Sequence, residues 1–148
     1  MFDSANLDHV VDKATFDREA PKLREALLNA QYDLSQKKIS VLILVAGVEG
    51  AGKSETVNML NEWMDPRHIS TSAFGSPSDE ERERPPMYRF WRALPPRGKI
   101  GIFFGGWHTE PILGRVLGST SRAELDQRIA EILRFERMLS DEGVLVLK

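Results

Sequence analysis

Residues 39–45 read Ile-Ser-Val-Leu-Ile-Leu-Val, and residues 47–54 read Gly-Val-Glu-Gly-Ala-Gly-Lys-Ser. The first stretch is nearly all apolar and rich in β-branched side chains. So short a run fits a strand buried on both faces, which is how strands of parallel sheets read. The second stretch is a glycine-rich turn. Behind it Val57, Leu60 and Met64 recur at helical spacing from about Lys53, until Asp65-Pro66 ends the pattern. A buried strand that turns directly into a helix leaves few folds open, because the helix must return over the sheet before the next parallel strand begins. The 148 residues are one domain's worth of chain.

The turn also carries chemistry. It fits G-x-x-x-x-G-K-[ST] at every fixed position, and it sits after a strand and before a helix as that motif requires. A chance match in a chain this long is on the order of 1 in 200 at average glycine usage. Gly47, Gly50, Ala51 and Gly52 let successive N–H groups turn inward onto phosphate oxygens. The following helix adds its positive N-terminal end. Lys53 would reach the outer phosphates, and Ser54 would offer its hydroxyl to Mg²⁺. Glu49 puts a carboxylate into a cradle for anions. Either it helps hold Mg²⁺ or orients an acceptor, or it points to solvent from the loop tip, and loop chemistry alone does not choose between them.

The remaining chain alternates helix and strand. Residues 1–15 are polar and mixed and read as a loose arm ahead of a domain over residues 16–148. Leu23, Leu27, Ala30 and Leu34 mark one face of a helix from about Asp17 to Lys37, with Pro21 tolerated in its first turn. Arg67 to Phe74 suits a second strand, residues 75–86 a charged surface loop, and Met87 to Leu94 a short helix stopped by Pro95-Pro96. Ile100 to Phe104 is a third apolar run. Ser121 and Glu124 form a capping-box pattern opening a helix to about Glu142, with Leu125, Ile129, Ile132 and Leu139 inward. Val144 to Leu147 is a fourth run. The order predicts an α/β fold, a three-layer sandwich around a mostly parallel sheet. No element after Leu147 covers the sheet, so the length reads as a core cut short.

A phosphotransferase with such a loop usually places an acidic residue at the end of a second buried strand, to hold Mg²⁺. None of these strands supplies one. Phe104 is followed by Gly105-Gly106, and Glu110 lies six positions beyond Phe104, a weak substitute. Transition-state charge also needs Arg or Lys. Arg89 and Arg92 flank aromatic residues and are the candidates for a polyanion path. Arg82 and Arg84 are interleaved with Asp79, Glu80, Glu81 and Glu83 and read as a solvated face. His9, His68 and His108 lack metal-ligand spacing. Trp63 and Trp91 read as core or rim residues. Trp107-His108 follows the third run, where parallel sheets place ligands.

Composition closes other classes. There is no cysteine, which excludes a disulfide scaffold and a Cys-ligated zinc. Twenty basic against 22 acidic residues give a net charge of −2, no electrostatic basis for nucleic-acid binding. No apolar run approaches membrane-spanning length. The opening residues, Met1-Phe2-Asp3-Ser4, lack the basic and apolar regions of a signal peptide. The expectation is a cytoplasmic domain with no membrane partner.

Five stretches then give the sequence a likeness. They are A-G-V-E-G-A-G-K-S-E-T-V-N (46–58), W-M-D-P-R (63–67), E-R-P-P-M-Y-R-F-W-R-A-L-P (83–95), G-K-I-G-I-F-F-G-G-W-H-T-E-P (98–111) and R-F-E-R-M-L-S-D-E-G (134–143). In order and spacing the chain resembles the polyphosphate kinase 2 family, most of all the N-terminal half of its two-domain polyphosphate:AMP phosphotransferases. The resemblance implies a P-loop kinase fold that moves phosphoryl groups between inorganic polyphosphate and nucleotides such as AMP and ADP, with Mg²⁺. It implies catalytic roles for Glu49 and Lys53, metal contacts from Ser54 and Glu49, and phosphate contacts from Arg89 and Arg92. The family's loop reads G-x-D-x-x-G-K, and Glu49 stands at the Asp. Its second motif reads F-D-R-S-W-Y-N-R. Here Phe103 and Trp107 match, Phe104 replaces the acid, and Gly105 and Glu110 replace the arginines. That pattern implies a degenerate half, weak alone, partnered by an active C-terminal half or by copies of itself, with the family's lid beyond Lys148. Two other readings stand beside it: a non-catalytic polyphosphate-binding module, and a nucleoside monophosphate kinase, which shows no lid or specificity pattern here.

Overall fold

A computed structural model describes residues 10–148; most of the expected N-terminal arm and His9 lie outside the described residues. The elements are α1 (Lys13–Lys37), β1 (Ser40–Val45), α2 (Lys53–Trp63), β2 (Ile69–Ala73), α3 (Asp79–Arg82), α4 (Tyr88–Arg92), β3 (Ile100–Phe104), α5 (Thr109–Val116), α6 (Arg122–Asp141) and β4 (Val144–Leu147). The four strands form one sheet in the order β2-β3-β1-β4, and every pairing is parallel. The expected α/β architecture is the one found.

Burial explains the sheet. β1 and β3 are its interior strands, and Leu42, Ile102 and Phe103 are almost wholly excluded from water. One face packs under α4 and α6 through Leu44, Phe90, Phe103, Trp107, Ile132 and Phe135. The other packs under α1 and α2 through Val41, Val57, Met64, Ile100 and Ile102. Each fully buried aliphatic or aromatic side chain is worth about 1.5–3 kcal/mol. The apolar runs of β1 and β3 have helices on both sides, whereas the equally apolar run of the edge strand β4 leaves Leu145 and Leu147 half exposed.

Several expectations change. α1 starts at Lys13, where the Asp12 carboxylate accepts from the Thr15 N–H, four residues before the expected Asp17. Pro21 is therefore inside the helix rather than in its first turn. It sits on an exposed stretch, where water can satisfy the carbonyl it leaves unpaired. Leu23 is exposed, and Gln31 takes an inward place by exchanging hydrogen bonds with the backbone N–H and carbonyl of Asp65. In α6 Ile129 is exposed, and Phe135 joins Ile132 and Leu139 in the core. The expected 75–86 loop contains the one-turn α3, closed by a capping box between Ser78 and Glu81. No sequence pattern announced α5.

Candidate functional site

Parallel strands put their carboxyl ends on one edge, and ligands of such sheets bind there. β1 delivers the Gly47–Gly52 turn to that edge. Beside it, β3 ends with Phe104, paired to Val45, and the Gly105 N–H donates to the Val45 carbonyl at 2.9 Å. β2 lies beyond β3 and leads into Phe74 and Gly75. The edge from β1 to β2 spans two strand spacings, about 10 Å.

Gly50 and Gly52 have φ near +79° and +78°, a left-handed conformation that costs glycine nothing and other residues 1–2 kcal/mol. Gly52 is also the N-cap of α2 and brings no side-chain cap. The first helical N–H groups therefore remain available to an anion. Ala51 shapes the turn, its N–H donating weakly to the Val48 carbonyl at 3.4 Å. The Lys53 ammonium arches back over the loop and donates to the carbonyls of Gly47 and Val48 at 2.7 and 2.6 Å. An ammonium has three donors, so two of them hold the side chain across the turn.

Glu49, Gly50, Gly52, Lys53, Ser54, Glu55 and Phe104 line one open cavity of about 440 Å³. Glu55 was not singled out from sequence, although its place in the first turn of a helix behind a lysine was visible. Glu49, Ser54 and Glu55 give this cavity hard oxygen donors only. That donor set suits Mg²⁺, which binds through one or two carboxylates and phosphate oxygens while keeping water. Phe104 adds a phenyl wall where a strand-end carboxylate was sought. Glu110 lies in the first turn of α5 and is not among the lining residues.

The arginines form a second cavity, about 290 Å³, lined by Ser78, Glu80, Glu81, Arg84, Tyr88, Arg89, Arg92 and Ala93. Arg89 is mostly buried over Phe74 and Phe90, with guanidinium-to-ring distances of 5.2 and 5.7 Å. One guanidinium nitrogen donates to the Gly75 carbonyl at 3.1 Å. Its Nε lies 3.4 Å from a Glu81 carboxylate oxygen, an ion-pair distance, yet has no aligned hydrogen bond. Arg92 and Arg84 both approach the Tyr88 ring, at 5.8 and 5.6 Å. Arg84 thus belongs with Arg89 and Arg92 rather than with a solvated face, whereas Arg82 pairs with Asp79 on α3. The structure brings the loop residues together and places the arginines in a separate cavity on the same edge.

Trp107 is core, 2% exposed, and its indole N–H donates to Glu136 at 2.9 Å. Lys148 donates to the other Glu136 oxygen at 2.7 Å, and His108 Nε2 lies 3.3 Å from the first. Burial pushes the His108 pKa down, against the pull of Glu136 and with the push of Lys148. Burial alone would raise the pKa of Glu136, but the hydrogen bonds from Lys148 and Trp107 and the neighbouring positive charge bring it below the usual value.

The polyphosphate kinase 2 (PPK2) family pattern matches residues 10–148. The chain belongs to this family. It is 55% identical over its whole length to a polyphosphate:AMP phosphotransferase of Pseudomonas aeruginosa, and 50% identical to one of Pseudomonas syringae. It spans only 30% of each of these relatives. An AMP/ADP-polyphosphate phosphotransferase of Meiothermus ruber is 29% identical over 91% of the chain and 48% of the relative. A crystal structure described as a polyphosphate kinase 2 of Pseudomonas aeruginosa superposes with a TM-score of 0.92 at 55% identity, over 99% of this chain and 32% of that one. The polyphosphate kinase 2 of Arthrobacter aurescens superposes at 0.89 with 26% identity, over 97% and 55%. The PPK2 chain therefore has the P-loop kinase-like fold expected of it. Among its described residues no helix is long and apolar enough to cross a membrane.

Proposed function

We propose that this domain grips inorganic polyphosphate on the β1 turn and serves the reaction polyphosphate plus AMP to ADP plus polyphosphate shorter by one phosphoryl unit, with slow turnover of its own. The observation that carries the reading is the glycine turn with Lys53 arched over it and an uncapped helix end beneath. Backbone N–H groups and the ammonium would hold phosphate oxygens, and Gly47, Gly50 and Gly52 keep the cradle open. Arg89 and Arg92, with Arg84, would hold the distal polyphosphate or the nucleotide phosphate. Ser54 and Glu49, joined by Glu55, would hold Mg²⁺, which when bound offsets charge on the transferring group.

Phe104 favours a second reading, a polyphosphate-binding module without turnover. A phenyl ring cannot take over a metal-holding carboxylate's part. One pair of measurements separates the readings. Titration calorimetry with polyphosphate should give binding that Lys53→Ala weakens at least tenfold; unchanged binding sinks the loop assignment. ADP formation from AMP and polyphosphate should be detectable, lost in Lys53→Ala, and far below the kinase range of about 1–100 s⁻¹. A rate inside that range refutes the slow-turnover claim, and complete inactivity with binding retained selects the module.

A further inference from the structure

Glu81 is shared between two contacts. Its Oε2 accepts from the Ser78 N–H at 2.9 Å and closes the capping box of α3. Its Oε1 lies 3.4 Å from Arg89 Nε. A carboxylate that pairs well with arginine meets two guanidinium N–H groups at about 2.7–2.9 Å. Glu81 meets one, from too far and out of line. The Nε–H of a nearly buried guanidinium is therefore left without an acceptor.

Arg89 does not depend on Glu81 for its position. Its guanidinium lies over Phe74 and Phe90, and its Nη1 donates to the Gly75 carbonyl. α3 has only four residues and buries none of them, so Glu81 can move without disturbing the core. In the same cavity, Arg84 and Arg92 form no ion pair among the described residues. The cavity thus holds two unpaired guanidinium groups and a third with a poor partner.

From these contacts we infer that Glu81 is a stand-in for a phosphate oxygen on Arg89. The phosphate that enters the cavity takes the Arg89 Nε–H, and Glu81 turns away while keeping the Ser78 N–H. This role for Glu81 rests on the proposed reading of the cavity as a phosphate site. It makes Glu81 a specificity-determining residue. A polyphosphate or a nucleotide phosphate brings several oxygens and more charge than one carboxylate, and can meet the guanidinium in line. A chloride ion or a lone carboxylate gains nothing over Glu81 and does not displace it.

Titration calorimetry of the 148-residue chain with long-chain polyphosphate and, separately, with AMP tests the exchange. Glu81→Gln removes the charge and keeps the capping box, in which glutamine serves as well as glutamate. It should bind the cavity's ligand about fivefold more tightly. Glu80 lines the same cavity, is exposed and forms no ion pair among the described residues. Glu80→Gln removes an equal charge that solvent already screens, and should gain less than about twofold. The proton–nitrogen NMR signal of Arg89 Nε should move downfield as that ligand binds. A gain with polyphosphate makes the chain the group that displaces Glu81; a gain with AMP alone makes it the nucleotide phosphate. Equal gains from Glu80→Gln and Glu81→Gln reduce the effect to net charge and overturn the inference. Weaker binding in Glu81→Gln overturns it too, because Glu81 then holds Arg89 in place for the ligand. Arg92→Ala separates this role from the reading beneath it. If Arg92→Ala leaves both affinities unchanged, the phosphate reading of the cavity falls and the role of Glu81 with it. If Arg92→Ala weakens binding while Glu81→Gln gains nothing, the displacement of Glu81 alone is refuted.

Discussion

Phe104 shows how one residue sets what this site can do. Its backbone is fixed twice, by pairing with Val45 and by the Phe74 N–H donating to its carbonyl at 2.9 Å. Its ring packs against the Val41–Ile102 side of the core and also walls the loop cavity. The sheet thus presents carbon where charge would assist phosphoryl transfer. At the far side of β3, Glu136 collects the Trp107 indole, Lys148 and His108. His108 is held below its ordinary pKa of 6.5, first by burial and then by Lys148, while Glu136 pulls the other way. A lowered folded pKa means the unfolded chain takes up the proton first as pH falls. Stability from the neutral imidazole is complete above pH 6.5 and is lost as pH drops through the lowered value. His108→Gln should therefore flatten the rise of the urea midpoint as pH climbs toward 6.5. Parallel curves for parent and variant would show that His108 does not titrate in the fold.

At the scale of elements, β3 is placed by its lack of a side chain at one position. A Cβ on Gly101 would stand 3.0 Å from Pro95 Cδ and 3.2 Å from Leu42 Cδ1. Both neighbours are tightly held, Leu42 in the interior and Pro95 in a ring. Gly101→Val should cost roughly 1–3 kcal/mol by overpacking, seen as a lower urea midpoint with the slope unchanged. Full parent stability would mean that the α4–β3 connection is free to move. β1 and β3 were legible because parallel pairing on both sides buries both faces and writes itself as apolar runs. The edge strand β2, Ile-Ser-Thr-Ser-Ala, is mostly exposed and gave a weaker pattern, and the edge strand β4 is apolar although Leu145 and Leu147 are half exposed. α2 and the glycine turn were legible because the motif fixes strand, turn and helix together. α5 was not, because Pro111, Gly114 and Gly118 read as punctuation and its apolar stripe points away from the core. The grouping of Arg84 with Arg89 and Arg92 was hidden for another reason. Sequence shows acids interleaved with arginines, but α3 removes Asp79 to pair with Arg82, and Glu81 turns to Arg89.

For the whole molecule, the sheet order decides how far apart the cationic groups stand. Lys53 belongs to the β1 end of the edge and the Arg84–Arg89–Arg92 cavity to the β2 end, with Phe104 of β3 between them. The net charge is −2, so the molecule as a whole does not attract a polyanion. Attraction must come from these two local clusters, and at 0.15 M salt fields fade over about 8 Å. On the proposed reading, a long polyphosphate would engage both clusters, whereas tripolyphosphate would satisfy the turn alone. Release of condensed counterions makes affinity fall linearly with the logarithm of salt, by about one unit of slope per phosphate contact. The expected outcome is a steep slope for long-chain polyphosphate that Lys53→Ala and Arg92→Ala each reduce by about one. For tripolyphosphate, Lys53→Ala should still reduce the slope and Arg92→Ala should leave it unchanged. Fluorescence anisotropy with end-labelled chains across a salt series measures all of these. If Arg92→Ala leaves the long-chain slope intact, polyphosphate does not cross β3, and the arginine cavity serves a separate ligand.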